Sequence, residues 1–313
     1  MKVLVTGGAG FIGSHLVERL LNENNEVIVV DNYTLGKKEN LNSVINNERL
    51  EVIECNIEET EKFCELLKNK NIEVIYHLAA NSDIQKGGQN PEVDFRDTFM
   101  TTRSVLELMK RENIKKLFFS STSAVYGDKT NELLTEDMGD LRPISYYGGA
   151  KYASEAFISS YAHMNDFSVV TFRFPNVIGP HLTHGVIYDF KKKLEKNPKE
   201  LEILGDGTQT KPYIYVLDLV DAIMLLTKDF KPGIEIYNAG VETATSVKTI
   251  ADIVCEELGY ENVEYKFTGG NIGWKGDVPK FQYDLRKIHA AGWTASHTSD
   301  ESVRETVKSI KDN

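Results

Sequence analysis

The feature that most limits what this chain can fold into is the run Val3-Leu-Val-Thr-Gly-Gly-Ala-Gly-Phe-Ile-Gly-Ser-His15. Val3, Leu4 and Val5 are bulky and apolar, as in a buried strand, and Gly7, Gly10 and Gly13 follow at once. Phe11, Ile12, His15, Leu16 and Leu20 then recur at helical spacing, so a strand passes into a helix within a few residues. Glycine suits such a turn because a Cβ would block both the tight backbone path and the approach of a pyrophosphate. The free N–H groups and positive dipole end of the helix attract that anion. The next strand, Glu26–Val30, ends on Asp31, 18 residues after Gly13. A carboxylate there accepts hydrogen bonds from both adenosine ribose hydroxyls and repels a 2′-phosphate, which favours NAD over NADP. Three glycines alone would make only a turn; strand, helix and spaced acid together predict a dinucleotide site.

The pattern then repeats. A polar loop from Asn32 to about Ser43 leads to a strand at Leu50–Glu54, a helix around Glu58–Asn69 and a strand at Glu73–His77. A long helical stretch over about Pro91–Arg111, a strand at Lys116–Phe119, a helix from about Tyr147 to His163 and a strand at Ser168–Arg173 continue it. Such βαβ repetition predicts an α/β fold, a Rossmann-type doubly wound parallel sheet with helices on both faces. From Phe174 onward, Pro and Gly punctuate shorter segments. Helices are expected at Val186–Leu194 and Leu217–Thr227, strands at Leu201–Leu204, Tyr213–Val216 and Ile234–Asn238, and Ser246 reads as the N-cap of a helix ending near Gly259. The expected division is 1–174 for a cofactor-binding domain carrying the chemistry and 175–313 for a smaller α/β substrate-binding region, with crossing back of the chain allowed.

A chain of 313 residues with 41% hydrophobic content sustains a large core. Its net charge of −11 argues against nucleic acid or an acidic membrane as partner. Cys55, Cys64 and Cys255 are scattered and form no CxxC pair, which predicts neither disulfides nor a bound metal and fits a reducing compartment. With a strand beginning at residue 2 and no apolar run of membrane-spanning length, a cytoplasmic protein is expected.

Tyr147-Gly-Gly-Ala-Lys151 puts a phenol and an ammonium one helical turn apart on one face. A tyrosine works as a base near neutral pH only where its anion is stabilised, and a neighbouring lysine and a cationic nicotinamide would do that. Upstream, Ser120-Ser-Thr-Ser123 falls at the C-terminal end of a central strand, where doubly wound sheets bind ligands. Taken singly, the pair reads as surface neighbours and the cluster as a turn cap. Behind a dinucleotide fingerprint, together they predict a site for alcohol–ketone redox chemistry.

With these motifs the chain resembles the extended short-chain dehydrogenase/reductases, in particular their nucleotide-sugar epimerases and dehydratases. Thr6–Gly13, Asp31-Asn32, His77-Leu-Ala-Ala80, Ser120–Gly127, Tyr147 with Lys151, Arg173–Pro180, Gly205–Gln209, Tyr215–Asp218, Tyr237–Gly240 and Gly276-Asp277 carry the likeness over nearly the whole chain. The resemblance implies that Gly7, Gly10, Phe11 and Ile12 hold the pyrophosphate of NAD and Asp31 and Asn32 its adenosine ribose. Asn56 and Ile57 would lie at the adenine, Leu78, Ala79 and Ala80 would line the cofactor, and Ser120 and Phe174 would complete its site. Thr122, Tyr147 and Lys151 would be catalytic, with Tyr147 as proton shuttle and Lys151 binding the nicotinamide ribose while lowering the Tyr147 pKa. Thr122, Ser123, Asn176, Val186, Lys211, Tyr213, Trp274 and Asp277 would bind a nucleotide sugar.

The departures from the family pattern narrow the activity. Family dehydratases follow the catalytic Thr with Asp-Glu, whereas Thr122 is followed by Ser123-Ala124. The resemblance therefore implies a 4-epimerase of the UDP-glucose/UDP-galactose type, working through a transient 4-keto sugar. A nucleotide-sugar 4-dehydrogenase, an epimerase of another sugar nucleotide such as a GDP-heptose, and a non-catalytic NAD-sensing regulator are the alternatives. Lys211 and Trp274 stand where the family has diphosphate-binding arginines, and Asp97-Thr98 where it has Asn-Asn. A homodimer is also implied, its seam formed by Phe95, Phe99, Thr102, Leu106 and Met109; packing against the sheet explains the same stripe equally well.

Overall fold

The computed structural model describes residues 1–130, 132–270 and 278–311. Strand β1 (Lys2–Thr6) turns into α1 (Phe11–Asn22), followed by β2 (Glu26–Asp31), β3 (Leu50–Glu54), α2 (Thr60–Leu67) and β4 (Val74–His77). Next come α3 (Ile84–Gln89), α4 (Pro91–Asp94), a π-helical turn (Phe95–Met100) and α5 (Thr101–Arg111). Strand β5 (Lys116–Thr122) ends in a 3₁₀ turn (Ser123–Tyr126); β6 (Leu133–Leu134), α6 (Tyr146–Asn165) and β7 (Ser168–Phe174) follow. The remainder holds β8 (Asn176–Ile178), α7 (Val186–Lys196), β9 (Glu200–Ile203), β10 (Thr210–Lys211), β11 (Tyr213–Tyr215), α8 (Val216–Leu226) and β12 (Gly233–Asn238). It closes with β13 (Thr245–Ser246), α9 (Val247–Leu258), β14 (Glu264–Phe267), β15 (Gln282–Tyr283), α10 (Arg286–Ala290) and α11 (Ser299–Ile310).

A seven-stranded sheet in the order β12-β7-β5-β4-β1-β2-β3 bears out the doubly wound α/β fold. Its β1–β2, β2–β3, β1–β4 and β4–β5 pairings are parallel. Winding runs outward from β1 in both directions, so the switch of direction falls between β1 and β4, directly above the glycine turn. Val3, Leu4 and Val5 are fully buried, as the apolar runs of a sheet covered on both faces require.

The chain divides into two compact units. One comprises 1–127, 141–173 and 223–237, and the other 128–140, 174–222 and 238–313. The first packs Leu4, Ile28, Val30, Ile75, Leu117 and Phe119 of the sheet with Leu106, Met109 and Ile158 of the helices. In the second, β8 pairs with β11, β9 with β14, β10 with β13 and β6 with β15. Its core gathers Phe190, Leu194, Leu201, Ile250, Val254, Val303 and Val307. Ser246 caps α9 by accepting from the Thr249 amide at 3.0 Å, and Gly259 ends it in the left-handed conformation, as expected. Helix α11, with a capping box between Thr298 and Glu301, was not anticipated.

The apolar stripe of the long helical stretch divides between its two readings. Thr102, Leu106 and Met109 are buried, whereas Phe95 is 51% exposed and Phe99 packs edge-on against Phe157, itself 45% exposed. The π turn is the physical reason. Each of its residues advances less around the axis than an α-helical residue, so positions at α-helical spacing on either side of it no longer share a face. Among the described residues no helix is long and apolar enough to cross a membrane.

Candidate active site

Gly7 has φ +72°, and a Cβ there would come within 2.8 Å of the Ala79 amide nitrogen. A Cβ on Gly13 would sit 2.1 Å from the Gly7 carbonyl oxygen, so α1 begins this close to the strand only because position 13 is bare. Gly10 is the N-cap and has no side chain to satisfy the first amides of α1. Phe11 and Ile12, both half-buried, thus present open N–H groups at the positive end of a twelve-residue helix. That cradle fits a pyrophosphate.

Asp31, 7% exposed at the end of β2, accepts from the Ala9 amide through Oδ2 at 3.0 Å and from the Tyr33 amide through Oδ1 at 2.9 Å. Burial raises its pKa, opposed by these amides. Beyond the expected ribose acceptor, the residue therefore ties the glycine turn to the loop after β2. With the Asn32 amide as a third donor, acceptor capacity for one ribose hydroxyl remains. Asn32 donates Nδ2 to Asn56 Oδ1 at 3.0 Å, and Asn56 donates Nδ2 to Glu59 at 3.0 Å, so these two expected adenosine contacts meet at the surface. Ile57 is buried beside them, and Leu78, Ala79 and Ala80 are half-buried after β4. Phe174, the last residue of β7, is 9% exposed.

The expected catalytic residues converge at the C-terminal end of β5. Thr122 Oγ1 accepts from the Ala124 amide at 3.2 Å, capping the 3₁₀ turn that Ser123 opens, and bonds the Tyr147 hydroxyl. Ser145 caps α6 by accepting from the Gly148 amide at 3.1 Å. A Cβ on Gly148 would lie 2.6 Å from the Ala124 carbonyl oxygen; its absence lets the first turn of α6 close on the Thr122 turn. Lys151, buried, donates Nζ to the Ser120 carbonyl oxygen at 2.5 Å and lies over the Phe119 ring at 4.8 Å. Ser120 donates its own hydroxyl to the His77 carbonyl oxygen at 3.0 Å.

Burial dominates the electrostatics of the site. Tyr147 keeps some exposed surface, but protein encloses its phenol; that desolvation raises its pKa, opposed by the Thr122 bond and reinforced by Asp94. Lys151 is turned to the Ser120 carbonyl. Burial brings the Lys151 pKa itself down to about 7, with Glu155 acting in the opposite direction. His77, fully enclosed and bonded to Thr6 at 2.7 Å and Thr102 at 3.0 Å, is pushed down to about 3 by burial and then by Lys151, so it is neutral.

Of the expected substrate contacts, Thr122 and Ser123 belong to the first unit, while Asn176, Val186, Lys211 and Tyr213 belong to the second. There Asn176 and Tyr213 are direct partners across the β8–β11 pair, Lys211 is half-buried on β10, and Val186 opens α7. Trp274 and Asp277 lie outside the described residues.

Sequence reasoning missed the shell behind the site. Thr98 Oγ1 accepts from the Asn81 amide at 3.2 Å, and Asn81 Nδ2 donates to buried Asp94 at 2.8 Å, fixing the segment after Ala80. Glu155 and Arg173 form a buried ion pair at 2.6 Å. The available signal was an arginine in an otherwise apolar strand, which demands a counter-charge, and a glutamate one turn beyond Lys151.

Residues 3–240 match the model of the NAD dependent epimerase/dehydratase family. A crystal structure of a UDP-galactose 4-epimerase is 34% identical and superposes with TM-score 0.88 over 100% of this chain and 99% of that chain. The UDP-glucose 4-epimerase of Thermotoga maritima, solved with UDP-glucose, is 31% identical with TM-score 0.89 over the same shares. The human dTDP-D-glucose 4,6-dehydratase is 28% identical over 100% of this chain and 90% of its own. This chain belongs to the NAD-dependent epimerase/dehydratase family.

Proposed function

We propose that the protein is a nucleotide-sugar 4-epimerase of the UDP-glucose/UDP-galactose type. One observation carries the choice within the family. Thr122 and Tyr147 are bonded to each other with Lys151 one turn along α6, but Ser123 and Ala124 follow Thr122 where water elimination would need two carboxyl groups. Gly7, Gly10, Phe11 and Ile12 would hold the pyrophosphate of NAD, Asp31 and Asn32 the adenosine ribose, and Asn56 and Ile57 the adenine. Leu78, Ala79, Ala80, Ser120, Lys151 and Phe174 would surround the remainder. Bound NAD supplies a hydride acceptor and donor. Tyr147 takes the proton of the C4 hydroxyl and returns it after the 4-keto sugar has turned its other face, while Thr122 holds the same oxygen. Asn176, Val186, Lys211, Tyr213, Trp274 and Asp277 would bind the nucleotide diphosphate and sugar.

A homodimer is part of this reading, supported by the outward cluster of Phe95, Phe99 and Phe157. A cytoplasmic location is supported by three buried, unpaired cysteines. Incubation with UDP-, GDP-, CDP- and dTDP-sugars, with products separated by chromatography and reduced cofactor followed by absorbance, tests the activity. The expected result is a C4 epimer without accumulating reduced cofactor. A 4-keto product with reduced cofactor would replace the epimerase by a dehydrogenase. The panel spans four bases because Lys211 offers the diphosphate a single ammonium rather than a guanidinium fork.

A further inference from the structure

One turn beyond Lys151 on α6, Glu155 is 8% exposed, and Arg173 on β7 is 3% exposed. Arg173 grips the carboxylate with Nε to Oε1 at 3.0 Å and Nη2 to Oε2 at 2.6 Å, and Ser121 donates its hydroxyl to Oε1. Arg173 also donates Nη1 to the Tyr126 hydroxyl at 3.1 Å and lies over that ring at 4.9 Å. The planar fork and the packed ring leave the carboxylate little freedom.

Burying such a pair costs desolvation that mutual attraction barely offsets, so stability alone is a poor account of it. Its position gives a better one. Ser120 and Ser121 are neighbours at the end of β5: the Ser120 carbonyl receives the Lys151 ammonium, and the Ser121 hydroxyl bonds Glu155. One strand end thus registers both charges of the helix. Titratable groups near Lys151 or on elements packed on α6 include Tyr147 on α6, His77 on β4, Tyr126 in the 3₁₀ turn, Arg173 on β7, Asp94 on α4, Lys86 on α3, Arg96 and Asp97 of the π turn, which bond each other, and Arg103 and Glu107 on α5, the last bonded by Tyr161. His77 is neutral, and Asp94 acts on Tyr147. Glu155 is therefore the anion that acts on Lys151.

We propose that Glu155, clamped by Arg173 and Ser121, is a positioning residue whose fixed negative charge keeps the Lys151 ammonium seated on the Ser120 carbonyl. Its bearing on turnover rests on the role given to Lys151 above. The test is the titration of Lys151 in the cofactor-free protein, by ¹³C NMR of lysine labelled at Cε, with the signal assigned by its loss in Lys151→Arg.

In the unaltered protein the midpoint should lie at about 7. Glu155→Gln should lower it by about one pH unit or more, since an opposite charge nearby is worth about that much, and Glu155→Asp should recover most of the loss. Because Glu155→Gln strands the Arg173 charge, Glu155→Gln/Arg173→Gln, which removes both charges, is titrated alongside and should show a smaller shift of the same sign. A purely structural pair would change thermal stability and leave the titration where it was. An unmoved midpoint in the folded single or double variant overturns the proposal. The measurement needs neither cofactor nor substrate, so its failure is distinct from a failure to turn over a sugar nucleotide.

Discussion

Burial moves Tyr147 and Lys151 the same way, toward their uncharged forms: the phenol upward, the ammonium down to about 7. Two consequences belong to these residues alone. Tyr147→Phe removes only a hydroxyl from an enclosed ring, so fold and NAD binding should persist while kcat falls about 10²–10⁴-fold. Steady-state rates beside a circular dichroism melt check this, and near-normal turnover would end the proton-shuttle reading. For Lys151, the folded pKa lies below the ordinary lysine value of 10.5. Between about pH 7 and 10.5 the unfolded chain therefore binds the extra proton, and the contribution to stability rises with pH, by at most about 1.4 kcal/mol per unit. Stability is lost as pH falls toward 7. Urea unfolding at pH 7 and pH 9 should show that rise, and Lys151→Met should flatten it; an equal slope in both proteins would mean that Lys151 stays charged throughout.

At the scale of the element, α6 owes its seat to a glycine pair whose members are not equivalent. A Cβ on Gly148 would meet the Ala124 carbonyl at 2.6 Å, whereas one on Gly149 would meet nothing within 4 Å. Gly148→Ala should therefore destabilise by about 1–3 kcal/mol through overpacking. Gly149→Ala should stabilise by up to about 1 kcal/mol through helix propensity alone. Chemical denaturation of both, side by side, distinguishes close approach from propensity by the sign. Elements with a local signature were legible in the sequence: the strand-to-helix turn at Gly7–Gly13, the buried runs of β1, β2 and β7, and the capped α9. Strands β6, β10, β13 and β15 were not, since each is two residues long and exists only through a distant partner. The pairing of Tyr147 with Lys151 was legible because their spacing is helical, and the hydroxyl cluster holding Thr122 because it follows a strand signature. The clamp of Glu155 by Arg173 was not, because it depends on β7 lying beside β5, which no short window of sequence records.

For the whole molecule, the π turn is what gives the homodimer reading its seam. By rotating the helical surface between Phe95 and Leu106 it leaves Phe95, Phe99 and Phe157 as an outward aromatic cluster while the rest of the stripe enters the core. In the homodimer reading this cluster is the seam. Phe95→Glu/Phe157→Glu should then convert a dimer into a monomer in size-exclusion chromatography with light scattering, leaving the far-ultraviolet spectrum unchanged. A dimer that survives both charges would place the seam elsewhere.

Asp31 carries a consequence for how such a protein changes over time. The side chain that, in the proposed reading, would turn away a 2′-phosphate is also the acceptor for the Ala9 and Tyr33 amides, and Gly36 packs so closely on it that a Cβ there would lie 2.8 Å from Oδ1. Exchanging the acid for a neutral or basic residue would relax the charge filter and, in the same step, unfasten the two loops it joins. A lineage drifting from one dinucleotide to the other would first have to acquire a substitute fastening, so cofactor choice here is inherited with the architecture of the turn and is not free to vary one residue at a time.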